Sequence, residues 1–186
     1  IESAMSLNDD GDHYAMEDYC VLSLTDVGGK VTDHGIGLHV NDVAWAEKQM
    51  WAPDAAKKGD KYYLYFPAKD YSGVFKIGVA IGDQPQGPFI AEPEAIKGSY
   101  SIDPAVFEDD DGSYYMLQNW RTDKFNAIDD YPHDSQPALT AKVAKLTDDM
   151  LEFEEEDRDI EIVDEHGTLI TQGDVDRRYF EGPWMH

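Results

Sequence analysis

Helical spacing of apolar positions is hard to find along this chain. Short β-rich runs recur instead: KYYLYF (61–66), VFKIGVAI (74–81), SYYMLQ (113–118), LTAKVAKL (139–146) and IEIV (160–163). Val, Ile, Tyr and Phe favour such runs because branched and aromatic side chains pack well on a pleated surface. Between the runs stand KKGDK, GDQPQGP and DDDG. In these, Gly supplies left-handed backbone, Pro presets its own φ, and Asp bonds nearby backbone. The pattern predicts an all-β chain.

The runs also come in a repeating order. Residues 51–89 hold an acid beside proline (Asp54), a Gly-containing turn, the Tyr62-Tyr63 strand, a strand ending in AIGD at Asp83, and then GPF. Residues 101–153 repeat that order with Asp103, the turn DDDG, the Tyr114-Tyr115 strand, a strand ending in KLTD at Asp148, and then LEF. Residues 19–35 supply only the second half of such a unit, and residues 179–186, YFEGPWMH, only the start of another. Four-stranded units of about 40 to 50 residues have the size of propeller blades, which pack radially around a central channel. There the first strand of each unit lies nearest the axis, so Asp54, Asp103 and Glu181 are expected to converge on one well. A β-sandwich in which the same acids cap ordinary turns is the competing arrangement.

With 186 residues and 41% hydrophobic content, the chain is expected to form one domain over 1–186, long enough for a real core. No apolar run approaches the roughly 18 residues of a membrane span. The opening IESAMSLNDD has neither the basic start nor the apolar centre of a signal peptide. Because the first residue is Ile1 rather than Met, the true beginning is expected further upstream. The single Cys20 cannot make an internal disulfide.

Charge changes the picture more: 39 Asp plus Glu stand against 15 Lys plus Arg, a net of -24. Such a surface repels phosphate backbones and anionic lipid, so neither nucleic acid nor membrane is an expected partner. A strongly solvated surface in a salty or extracellular setting, or in a periplasm, accounts for most of the excess. An acidic ligand-binding cavity accounts for only a few of the charges.

The phrases MWAPDAAKKGDKYYLYFPAKD, KIGVAIGDQPQGPF, SIDPAVFEDDDGSYYML and FEGPWMH, in that order, resemble glycoside hydrolase family 43. The likeness runs from GDHYAMEDYC, near residue 11, to the last residue. Sucrose-hydrolysing propellers favour RDP and EC where this chain has IDP and EGP. The resemblance implies a five-bladed β-propeller, of which this chain covers roughly three blades, and an inverting hydrolase with three carboxylates. It places a tuning Asp on Asp103, the general acid on Glu181, and Trp51 and Asp54 in the sugar pocket.

The general base has no counterpart in these residues. Asp54 and Asp103 precede the ends of their units by 29 and 45 residues, and counting back as far from Asp26 falls before Ile1. The implied substrates are xylose or arabinofuranose units of plant or algal polysaccharides or oligosaccharides. A non-catalytic sugar-binding propeller, which would keep Trp51 and lose the acid, is the alternative. The sequence itself requires no cofactor, but the resemblance implies a possible calcium or similar divalent ion in the central channel, frequently held through water and a His, and no residue of this chain can be matched to that His.

Cleaving a glycosidic bond needs a proton for the leaving group and attack on the anomeric carbon from the opposite face, with carboxyls roughly 6.5 to 9.5 Å apart when water attacks directly. Glu181 must therefore hold its proton near neutral pH. Burial beside Tyr179, Phe180 and Trp184, with an ionised Asp103 nearby, is expected to penalise its charged form. Trp51, and with it Phe66 or Trp120, are candidates for the apolar wall under a sugar ring; core packing is the competing reading for each. The acidic run EDDDG (108–112) lacks the alternating acids and closing Glu of a calcium loop and reads as a hairpin turn. The six His residues show no zinc spacing.

Overall fold

The computed structural model describes residues 14–119 and 131–185. They form eleven strands in three antiparallel sheets and one short 3-10 turn, Val40–Asp42. The all-β expectation holds. No helix among the described residues is long and apolar enough to cross a membrane.

The first sheet pairs β1 (Asp18–Leu24) with β2 (Val31–His39). The second runs β4 (Asp54–Lys58), β5 (Lys61–Asp70), β6 (Phe75–Gly82) and β7 (Ile90–Ala91), with β3 (Ala46–Lys48) extending the β4 edge of β5. The third runs β8 (Ala105–Glu108), β9 (Tyr114–Gln118), β10 (Lys142–Lys145) and β11 (Arg158–Asp159). The repeat read from the sequence is thus a repeat of antiparallel meanders, with the half unit at residues 19–35 as the two-stranded sheet. The run IEIV is an exception: the fourth strand of its unit falls earlier, at Arg158–Asp159, and Val163 makes only an isolated bridge to Leu169.

Turn chemistry closes the hairpins where the sequence placed it. Gly59, at φ +59°, lies between β4 and β5. In EDDDG, the Gly112 N–H donates to the Asp109 carbonyl and the Asp109 N–H to the Ser113 carbonyl, which makes the run a β8–β9 turn. Asp70 organises the β5–β6 turn by accepting from Ser72 N–H, Ser72 Oγ, Val74 N–H and Lys76 Nζ, at 2.6 to 3.1 Å. Burial pushes its carboxyl up, but the Lys76 ammonium and the Ser72 and Val74 donors outweigh it and hold Asp70 well below the usual carboxylate range.

The second sheet is buried on both faces because side chains alternate along a strand. Leu64, Phe66 and Ala68 turn toward Tyr19, Leu38 and Val40 of the first unit. Tyr63 and Tyr65, with Ile77 and Val79, turn toward Tyr114, Met116, Leu146 and Met150 of the third. Each such large side chain contributes about 1.5 to 3 kcal/mol by leaving water.

Gly78 lies directly opposite Phe66 on the neighbouring strand. A Cβ there would stand 2.6 Å from the Trp45 ring and 2.7 Å from the Phe66 ring, which stack on each other at 5.9 Å. The absent side chain is what lets both rings lie on the sheet. Phe66 is 0% exposed, so it is a core residue and presents no face to a sugar. The packing reading of this aromatic is the correct one.

Candidate active site

Register places the functional residues. Asp54 pairs with Tyr65 in the second sheet, and Ala105 pairs with Leu117 in the third. Aligning the sheets by this pairing sets Pro53 against Pro104 and Ala52 against Asp103. The loop contacts agree: Trp51 N–H donates to the Pro67 carbonyl, and at the equivalent position Asn119 N–H donates to the Ile102 carbonyl. The two acids are therefore not equivalent. An acid follows proline in one unit and precedes it in the other, so they sit two residues apart along the strand.

That offset separates their roles. Asp54 Oδ2 accepts the Val106 N–H at 2.6 Å, tying the leading strand of the second sheet to that of the third. Of the two other acids, Glu181 and not Asp54 is among the groups acting on Asp103.

Asp103 occupies the left-handed region, at φ +55°. Asp tolerates that conformation better than most residues, because its short side chain can bond locally, yet it still costs roughly 1 to 2 kcal/mol. Burial pushes the Asp103 carboxyl up, and the Glu181 charge beside it pushes the same way; the Gly182 N–H, donating to the carboxylate, offsets part of this. Asn119 Nδ2 donates to Asp103 Oδ2 at 3.3 Å, and Tyr179 Oη donates to Asn119 Oδ1 at 2.7 Å. The Tyr179 phenol is pushed up by burial, then by the charges of Asp103 and Glu181, and stays protonated as a donor. Neither Asn119 nor Tyr179 stands out in the sequence as a site residue. The only signal for Asn119 is that the third unit ends its second strand in Gln-Asn where the second unit has Phe-Pro.

The aromatic enclosure expected around Glu181 is not built by these residues. Glu181 is exposed, as are Phe180 (74%) and Trp184 (72%), because residues 179–185 form no strand against which their rings could pack. Trp51 is half-buried: its ring lies 4.6 Å from that of Phe75, edge-on to Tyr14, and its indole N–H donates to the Tyr14 carbonyl. Trp120 lies outside the described residues. Among the described residues no three His, Cys, Asp or Glu side chains converge to hold a metal ion.

The model of glycosyl hydrolases family 43 matches residues 35–186, starting later than the likeness read from near residue 11. A xylosidase/arabinosidase of Bacteroides ovatus is 47% identical over the whole chain, and xylosidase/arabinosidase 43A of Humicola insolens is 52% identical. The chain spans 60% and 62% of the length of these two relatives. Among solved structures, a β-xylosidase/α-arabinofuranosidase from a compost microbial metagenome, in complex with xylotriose and calcium-free, is 51% identical with a TM-score of 0.88. All of this chain and 60% of that one are covered. A Xanthomonas citri enzyme complexed with xylotriose is 49% identical with a TM-score of 0.86, over 94% of this chain and 55% of that one. With the family's pattern matched over residues 35–186, this chain belongs to glycosyl hydrolase family 43.

Proposed function

We propose that these residues are part of an inverting glycoside hydrolase that removes xylose or arabinofuranose units from plant or algal polysaccharides and oligosaccharides. In this reading Glu181 protonates the leaving oxygen, Asp103 orients and tunes it, and a carboxylate from outside residues 1–186 activates the water. The observation that carries it is the Asp103–Glu181 pair, two carboxyls on different segments with one pushed up by burial and by the other's charge. Relatives named xylosidase/arabinosidase and neighbours holding xylotriose support the substrate class. Trp51, with one ring face against Phe75, is the proposed sugar platform.

The same reading makes the fold a five-bladed propeller with residues 1–186 as part of its catalytic domain. Two sheets here contain a four-stranded meander, β4–β7 and β8–β11, whereas β1 has β2 as its one partner among the described strands. An apolar groove of about 370 Å³ runs beside β1, lined by Tyr19, Val21, Gly37, Ala55, Leu64 and Phe89. Further strands added to β1 would fill it and complete a third meander.

The test is turnover of aryl β-xylosides and aryl α-L-arabinofuranosides by the full-length protein, with product anomers followed by NMR. Inverted product is expected. Retained configuration, or no turnover of either substrate, would sink the proposal.

A further inference from the structure

The side chain of Asn119 bridges the two segments that carry Asp103 and Glu181. Asn119 follows β9, is only 5% exposed, and has its backbone N–H bonded to the Ile102 carbonyl, beside Asp103. Its amide spans from Asp103 Oδ2 to Tyr179 Oη. The direction of the amide is set by chemistry: a carboxylate only accepts, so Nδ2 must face Asp103, which leaves Oδ1 to receive the phenol proton. A second link runs parallel, from the Gly182 N–H to the Asp103 carboxylate. Residues 179 and 182 are thus both anchored to Asp103, one through Asn119, and Glu181 lies between the anchors.

We propose that Asn119 is a positioning residue of the hydrolase: its amide bridges Asp103 and Tyr179 and so sets where the Glu181 segment stands against Asp103. This rests on the roles proposed above for Asp103 and Glu181. The bridge demands a group that donates on one side and accepts on the other. Leu would leave the carboxylate and the phenol without their partner, and Asp would set a second carboxylate against Asp103. Tyr179, which does not touch Asp103 directly, is the outer half of the same device; burial keeps its phenol protonated.

The experiment compares Asn119→Leu, Asn119→Asp and Tyr179→Phe in the full-length protein, measuring kcat, KM, the pH profile of kcat/KM and Tm. Misplacing a catalytic group by about 1 Å costs on the order of 100-fold. Asn119→Leu is expected to lose about that much in kcat, with KM little changed. Asn119→Asp keeps the shape and should be equally impaired at neutral pH, but should recover toward acidic pH, where the introduced carboxyl and Asp103 can share one proton. Tyr179→Phe, which leaves the Asn119–Asp103 bond in place, should cost less than either.

Full activity in both Asn119 variants would overturn the proposal. So would equal losses in both at every pH with a matching fall in Tm, since that is what a purely structural residue would give. Asp103→Asn and Glu181→Gln serve as controls on the underlying reading. If these two are inactive while the Asn119 variants are normal, only the bridge is wrong. If they are fully active, the acid-pair reading fails with it.

Discussion

The second and third sheets share a register and differ in what they place at the same points. Where the second has Ala52, Phe66 and Pro67, the third has Asp103, Gln118 and Asn119, as the strand pairings align them. In the second sheet Phe66 stacks on Trp45 over Gly78, and Pro67 has no N–H to offer. In the third, Gln118 Nε2 donates to Asp157 and the Asn119 amide turns to Asp103. One meander is finished as a core and the other as a polar site. The difference teaches that the repeat supplies position, and two or three side chains at the strand end decide whether that position packs or reacts.

The largest test of this contrast is chemical. In the full-length protein, Glu181→Ala should lower turnover by roughly 10²- to 10⁴-fold for poor leaving groups and far less for good ones, the expected span for general acid catalysis. A rate loss independent of leaving group would remove Glu181 from the acid's role.

Gly78→Ala attacks the apolar counterpart. Forcing a methyl between the Trp45 and Phe66 rings should destabilise the protein by about 1 to 3 kcal/mol, read as a lowered Tm or denaturation midpoint. An unchanged midpoint would mean that the rings are not held as described.

Asp54→Ala probes the tie between the two sheets. Leaving the Val106 N–H without its acceptor should cost about 1 to 3 kcal/mol of stability with KM nearly unchanged. A large rise in KM at normal stability would return Asp54 to the sugar pocket.

The smallest expected effect is a pH dependence. The folded protein holds the Asp103 proton more tightly than the unfolded chain, so the group's favourable contribution is full below the ordinary Asp pKa, about 3.9, and is lost as pH rises through the folded value. Asp103→Asn removes this loss, so the variant's Tm relative to the parent should improve as pH rises above the ordinary Asp pKa of about 3.9. Asp70→Asn should trend oppositely against its own parent. The Asp70 carboxyl is held low, so its contribution is present above the ordinary Asp pKa and is lost as acid titrates it. Parallel pH trends for the two variants would contradict both assignments.

Much of the architecture was legible because it is local. Runs rich in branched and aromatic residues such as KYYLYF and SYYMLQ, and turns such as KKGDK and DDDG, carry their conformation in their own side chains, and they became β5, β9 and the hairpins beside them. The pairing of IDP with EGP was readable as a resemblance, and the charge of Glu181 does reach Asp103. Composition was enough to set the surface charge, and strand content followed from periodicity.

What only the tertiary structure decided is register and long-range contact. Proline next to an acid looks alike in WAPD and SIDP, yet pairing partners place those acids two residues apart, sending one to a backbone N–H and the other to the acid pair. Phe66 and Trp51 are both aromatic residues beside the same strand, and only packing puts one wholly inside and leaves the other half-buried. Tyr179 reaches Asn119 across 60 residues of sequence. No local preference encodes that contact, because it exists only once separate strands have been brought side by side by burying their apolar faces.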